Sequence, residues 1–333
     1  MNSKNVSDGL FAFAGTPGAE KRALYIALRH AQIALDVVVE DDVLDGTLNE
    51  YAVLYATAGH VTQACAEALV QWVGDGGTLF AAGGMALLNE TNQTNLVLAG
   101  LFGIEQYSVF GREAGPGTQE ISYIKQDLAY AKVLDRVTIV PDSEAVGVAT
   151  AEELLVVGEK AILTPDNSSR STLGHFSDGS AALYSKVHGQ GKVFVAAFPV
   201  GLAYFRPAMP FRPVARGNTD LTFNHWIPQN FSAGARAAAA LPVAGVEGAR
   251  PVLSSEPRVD IGVVAAKGKG TAIIVTNWTP TRIKQLNLTV QFSLTGTNVT
   301  LATGGTVREE AAAHGMRSFI FDLGVADTLI VRS

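Results

Sequence analysis

Several common routes to function are missing from this 333-residue chain. It has one cysteine, Cys65, so no internal disulfide can form, and a cytoplasmic location is the expectation. The amino terminus, MNSKNVSDGLFAFAG, has neither the basic start nor the apolar core of a secretory signal. No run approaches the roughly 18 apolar residues that span a membrane. Lysines and arginines do not cluster, and the net charge is −6, which argues against nucleic acid as a partner. The six histidines (His30, His60, His175, His188, His225, His314) show no ligand spacing, so neither a metal nor a cofactor is expected. Gly15-Thr16-Pro17-Gly18 lacks the Gly-Lys-Ser/Thr of a P-loop and the Gly-x-Gly-x-x-Gly of a dinucleotide fold, and it reads as a plain turn.

What is present is 47% hydrophobic residues, ample for a sizeable core, in a chain long enough for two domains. Gly9–Ala14 suggests a first strand. Ala19–Ile33 places Ala23, Leu24, Ala27, Leu28 and Ala31 on one helical face. Leu35–Val39 (LDVVV) is short, β-branched and apolar, so a strand is expected there. Tyr51–Thr57 repeats that pattern, Thr62–Val73 is a second amphipathic helix, and Gly76–Ala82 is a further strand. Alternation of this kind predicts a mostly parallel α/β sheet. From Glu105 to Val200 the helical period gives way to short β-rich runs with turns at Asp178-Gly179 and Gly189–Gly191, an antiparallel extension of that sheet. The proline- and aromatic-rich stretch 205–242 reads as a connector, and residues 243–333 alternate in period two, as in a small β-sandwich of six to eight strands. The expected domains are therefore 1–204, 205–242 and 243–333.

The run from Ala23 to Glu90 (ALYIALRHAQIALDVVVEDDVL through LFAAGGMALLNE) resembles the class I glutamine-amidotransferase-like, flavodoxin-like domain of family 42 β-galactosidases, where it is called the trimerisation domain. Gly189–Phe205 fits the same domain, and Val259–Thr279 resembles the start of the small C-terminal β-domain of those proteins. The resemblance implies an accessory unit that self-associates, most simply as a trimer, with Phe205–Trp226 contributing contacts, and that can bind carbohydrate. In such galactosidases hydrolysis belongs to an N-terminal TIM barrel of roughly 250 residues. The sequence before Ala19 has no room for one, so galactosidase activity is not carried over.

The amidotransferase chemistry can be checked residue by residue. That reaction needs a cysteine on a strand-to-helix elbow, with a histidine base and a carboxylate. The elbow here reads Ala82-Gly83-Gly84-Met85, and the late strand leads into Phe198-Pro199-Val200-Gly201. Cys65 lies inside a helical pattern and reads as a packing residue. Amidotransferase activity is not expected.

Sugar chemistry needs paired carboxylates. Glu40, Asp41 and Asp42 follow an expected strand, and Glu90 lies in the loop after another, at the edge where open α/β sheets bind ligands. These four are the catalytic candidates for a stand-alone glycoside hydrolase. The competing reading makes Asp41 or Asp42 a cap and Glu90 a loop anchor. Candidate substrate-binding residues are His60, Asn89, Asn92, Tyr204, His225 and Trp226, with Trp278 as a further aromatic platform; each aromatic can equally serve packing.

Overall fold

A computed structural model describes residues 16–82, 87–111, 131–140, 153–166, 168–209, 228–312 and 316–332. The described chain forms two compact units, one of residues 16–27, 37–209 and 230–244, the other of residues 28–36, 228–229 and 245–332.

The first unit is mixed α/β. Its helices are α1 (Thr16–His30), which runs on into the second unit's residues, α2 (Glu40–Leu44), α3 (Gln63–Gly74), α4 (Leu96–Phe102), α5 (Val200–Phe205) and α6 (Ala233–Ala240). Its strands are β1 (Val53–Ala56), β2 (Thr78–Ala82), β3 (Ile104–Phe110), β4 (Val133–Ile139), β5 (Glu153–Val157), β6 (Lys160–Pro165), β7 (Ser171–Phe176), β8 (Ala181–His188) and β9 (Gly191–Ala196). Seven of them form one sheet in the order β1-β2-β9-β8-β7-β4-β5, and β3 pairs with β6 separately.

Only β1, β2 and β9 run parallel; β9-β8, β8-β7, β7-β4 and β4-β5 are antiparallel. The expectation of a mostly parallel sheet is corrected accordingly. Short hairpin connections, four residues around Asp178-Gly179 and two at Gly189-Gln190, make the reversal, since connections this short join only antiparallel strands. The parallel strands are buried on both faces, as β2 illustrates with Leu79, Phe80, Ala81 and Ala82 all inaccessible.

Helix α3 crosses between β1 and β2 and buries Cys65, Ala66, Leu69, Trp72 and Val73 on one stripe. Burying a side chain such as Leu69 is worth about 1.5–3 kcal/mol. A Cβ at Gly77 would sit 2.4 Å from the Trp72 ring, so the absence of a side chain there lets the indole cover the start of β2.

A second expectation also fails. Leu35–Val39 joins no sheet among the described residues, and Val37 is 75% exposed. The apolar run looked like a strand because β-branched residues favour extended backbone. The acidic residues after it decide otherwise: Asp42 accepts the Val39 N–H at 2.7 Å, and Glu40–Leu44 turns into α2. Residues 233–240, placed by sequence in the connector, form α6 within the first unit, where Tyr55 donates to the Ala239 carbonyl at 2.8 Å. The expected strand Gly9–Ala14 lies outside the described residues.

The second unit is a sandwich of two antiparallel four-stranded sheets. One has the order β10-β13-β16-β15 (Val252–Ser254, Ile283–Val290, Arg317–Leu323, Val307–Ala311), the other β11-β12-β17-β14 (Val259–Ala266, Gly270–Asn277, Ala326–Arg332, Asn298–Leu301). Alternate residues of both sheets interdigitate in a core that includes Ile273, Val275, Leu286, Leu288, Phe319, Phe321 and Leu329. The end of α1 belongs to this unit: Arg29 donates to Asp260 at 2.7 Å and to the Ile261 carbonyl at 2.6 Å, and the Ala34 N–H reaches the Ala249 carbonyl at 2.9 Å.

Candidate functional site

The C-terminal ends of the parallel strands bring several candidates together. After β1 the chain passes through His60 to Thr62, the N-cap of α3; after β2 it passes through Leu88–Asn95 to α4. A parallel bridge between His60 and Leu88 lays these two loops side by side. His60 Nε2 lies 2.9 Å from Asn92 Oδ1, with Asn92 at a φ of 63°. Asn89 shapes the second loop, its side-chain oxygen accepting from the Thr91 and Gln93 N–H groups at 3.0 and 2.9 Å.

Two of the four carboxylates converge on the start of α3. Glu40 is buried, accepting from Thr62 Oγ1 at 3.1 Å and from the Thr62 N–H at 3.4 Å. Glu90 is exposed and accepts from the Gln63 N–H at 2.9 Å. Because their donors are adjacent in the chain, the two carboxyl groups lie within roughly 10 Å of one another. Their charges face the positive end of a twelve-residue helix, where anions are favoured. Asp42 is occupied with the Val39 N–H, and Asp41 is exposed on α2.

The remaining candidates lie elsewhere. Tyr204, expected as a substrate contact, is fully buried and stacks on Phe231 with ring centroids 4.8 Å apart. Its α5 position is hydrophobic on all sides, so the ring serves the core. His225 and Trp226 lie outside the described residues. Trp278 is exposed at the end of β12 rather than packed in the sandwich. Cys65 is buried on α3, and burial pushes its thiol up to about 12, with the nearby Glu40 charge adding to the shift; such a thiol is a poor nucleophile.

Sequence reasoning did not single out Glu20. It lies on α1, inaccessible to solvent, and accepts from the Gly201 and Leu202 N–H groups at 2.8 Å each. Burial raises its carboxyl from 4.5 to about 8 against the opposing pull of these bonds, and the charge of Glu159, itself buried, adds to the rise. Gly201 makes the junction possible: a Cβ there would meet the Leu24 backbone nitrogen at 2.3 Å. The pairing spans 181 residues of sequence, and nothing local in AEKRAL announces it.

Among the described residues no group of three or more His, Cys, Asp or Glu side chains is placed to hold a metal, and no helix is long and apolar enough to cross a membrane.

No protein-family model matches the sequence, and no curated protein matches it. Solved structures do resemble it in fold. A β-galactosidase from a Rahnella species matches with a TM-score of 0.56 at 15% identity, over 93% of this chain and 36% of the other. A β-galactosidase from the Antarctic haloarchaeon Halorubrum lacusprofundi matches with a TM-score of 0.51 at 18% identity, over 95% of this chain and 36% of its own. An α-L-fucosidase from Paenibacillus thiaminolyticus matches with a TM-score of 0.54 at 13% identity, over 93% and 44%. A GH42 β-galactosidase from G. stearothermophilus is among the similar folds as well. The class defined at this point is an α/β unit followed by a β-sandwich, of the kind found within glycosidases. More particularly, the chain spans little more than a third of the length of the galactosidases it resembles.

Proposed function

We propose that this chain is a glycosidase-related accessory protein, built on a glutamine-amidotransferase-like, flavodoxin-like unit, that self-associates as a trimer and binds carbohydrate. The observation that carries the proposal is that the likeness to the galactosidase folds runs through both units, over 93–95% of the chain. The parallel strands β1, β2 and β9, with α3 crossing between the first two, support the amidotransferase-like reading of the first unit. Cys65, a buried helix residue with a raised thiol, supports a role without amidotransferase chemistry. Static light scattering tests the assembly: a mass near 105 kDa, three times the 35.0 kDa chain, is expected, and a monomer at micromolar concentration overturns it.

A second reading has one observation in its favour, the convergence of Glu40 and Glu90 at the sheet edge. As a stand-alone glycoside hydrolase the protein would use these two carboxylates, with Asp41 and Asp42 nearby and with His60, Asn89 and Asn92 holding the sugar. The separation is compatible with the roughly 5–10 Å that glycosidases use. Against it stands the commitment of both carboxyl groups to donors at the start of α3, which leaves fewer of their lone pairs to face a substrate. A screen against chromogenic aryl glycosides tests this reading; turnover lost in both Glu40→Gln and Glu90→Gln, with Glu90→Gln melting like the parent, would establish it over the first.

A further inference from the structure

Trp278 entered above only as a further aromatic platform, and its surroundings differ from those of a packing residue. It is 56% exposed, and Val325, whose carbonyl accepts the backbone N–H of the neighbouring Asn277 at 2.8 Å, is 81% exposed. The backbone that carries this exposed indole is held by several hydrogen bonds. The backbone N–H of Trp278 donates to the Arg258 carbonyl at 3.0 Å. The Asn277 side-chain amide donates to the Thr281 and Gly324 carbonyls at 2.8 Å each, which ties the β12–β13 loop to the β16–β17 turn. Thr279 closes the loop on itself, its N–H to Asn277 Oδ1 at 2.8 Å and its hydroxyl to the Thr281 carbonyl at 2.7 Å. Pro280 stiffens it further. A loop backbone held in place before binding leaves little more than the side chain to order on contact.

Two ion pairs flank this loop end. Arg258 grips Glu256 with two bonds, at 2.8 and 3.2 Å, and Arg282 reaches Asp322 at 3.2 Å. Asp322 also accepts the N–H of Gln285, which holds a left-handed φ of 53° at the β13 irregularity. The ligand that such a surface favours is neutral, apolar on one face and rich in groups that both donate and accept. The apolar area is also small, roughly 300 Å² at most for the two side chains, against about 800 Å² per partner in a standard protein interface.

We propose that the loop end of the sandwich around Trp278 and Val325, flanked by the Arg258–Glu256 and Arg282–Asp322 pairs, is a binding site for neutral carbohydrate. The indole stacks on the apolar face of a sugar ring, and the ion-paired side chains meet its hydroxyls. The inference rests on the carbohydrate half of the proposed function and gives it a location away from the acidic sheet edge.

Isothermal titration of the full chain against neutral galacto-, gluco- and manno-oligosaccharides, with an oligogalacturonate as anionic control, tests it. The expected result is binding of at least one neutral glycan that weakens about tenfold or more in Trp278→Ala and less in Trp278→Phe, with unchanged melting temperature and scattering mass. Four results overturn it: no binding of any neutral glycan by the parent, binding by Trp278→Ala equal to the parent, equal binding of the anionic control, or a lower oligomer mass in Trp278→Ala, which would make the loop a contact between copies. If a neutral glycan binds and Trp278→Ala binds it equally, the site is wrong and the carbohydrate reading survives. If no neutral glycan binds the parent, both fail, and the scattering result stands independently.

Discussion

Two glutamates on early helices do similar work in different surroundings. Glu20 on α1 satisfies the first N–H groups of α5, and Glu40 on α2 satisfies Thr62 at the start of α3. Each joins an element near the amino terminus to the helix that comes after a parallel strand, β9 in one case and β1 in the other. The Glu40 junction opens on the sheet edge beside His60 and Glu90, whereas the Glu20 junction is closed over by Leu24, Gly201 and the buried Glu159. Position relative to solvent, rather than the motif itself, separates a candidate site from a structural clamp.

The closed junction should therefore tolerate change least. Gly201→Ala should be the most damaging substitution, because its Cβ would lie 2.3 Å from the nitrogen and 2.8 Å from the Cα of Leu24, and backbone on both sides cannot yield. A loss of about 3 kcal/mol or more is expected in urea denaturation; a change below about 1 kcal/mol would show the junction to be loose. Glu20→Ala should come next at about 2–4 kcal/mol, since it strands two buried N–H donors.

Glu20 also ties stability to pH. Its carboxyl is raised from 4.5 to about 8, so the folded state holds a proton that the unfolded chain has released. Folding takes up that proton between the two values. The contribution is therefore fully present below about 4.5 and is lost as pH rises to about 8. Glu20→Gln, less stable at low pH through one weakened bond, should flatten this part of the pH–stability curve. A parent and variant with parallel curves from about pH 5 to 8 would mean that Glu20 is ionised in the fold.

Much of the architecture was legible in residue periodicity: α1, α3, β1, β2, the two hairpin turns and the alternating sandwich strands all fall where apolar spacing puts them. Periodicity failed where a long-range or flanking contact decides. LDVVV has the composition of a strand, but Asp42 bonding back to Val39 starts a helix directly after it. Tyr204 and Trp278 could not be sorted by sequence because an aromatic looks the same in a core as on a surface; one stacks on Phe231 and the other is exposed. At the edge, the proximity of His60 and Asn92 was implied by adjacent parallel strands, while the capping roles of Glu40 and Glu90 needed the position of α3.

Cys65→Ala should cost about 1 kcal/mol from lost packing on α3 and leave any activity intact. Its thiol, pushed up to about 12, should resist a thiol reagent in the folded protein and react only on unfolding. Rapid labelling under native conditions would refute the burial on which the exclusion of cysteine chemistry rests.

The smallest expected differences are those within the open junction, and they bear most directly on function. Glu40 is buried and bonded to both the backbone and the hydroxyl of Thr62, so Glu40→Ala should cost about 1–2 kcal/mol. Glu90 is exposed and holds one N–H, so Glu90→Ala should cost about 0.5 kcal/mol, near the low end for a lost cap. If capping is their whole role, the carboxamides Glu40→Gln and Glu90→Gln should shift the melting temperature in that same order and should change nothing in an aryl glycoside assay. A catalytic pair would reverse the emphasis: both carboxamides would abolish turnover together, while the exposed Glu90 variant melted with the parent. The ratio of activity loss to stability loss at Glu90 is therefore the measurement that separates a sheet edge that holds α3 from one that cleaves a sugar.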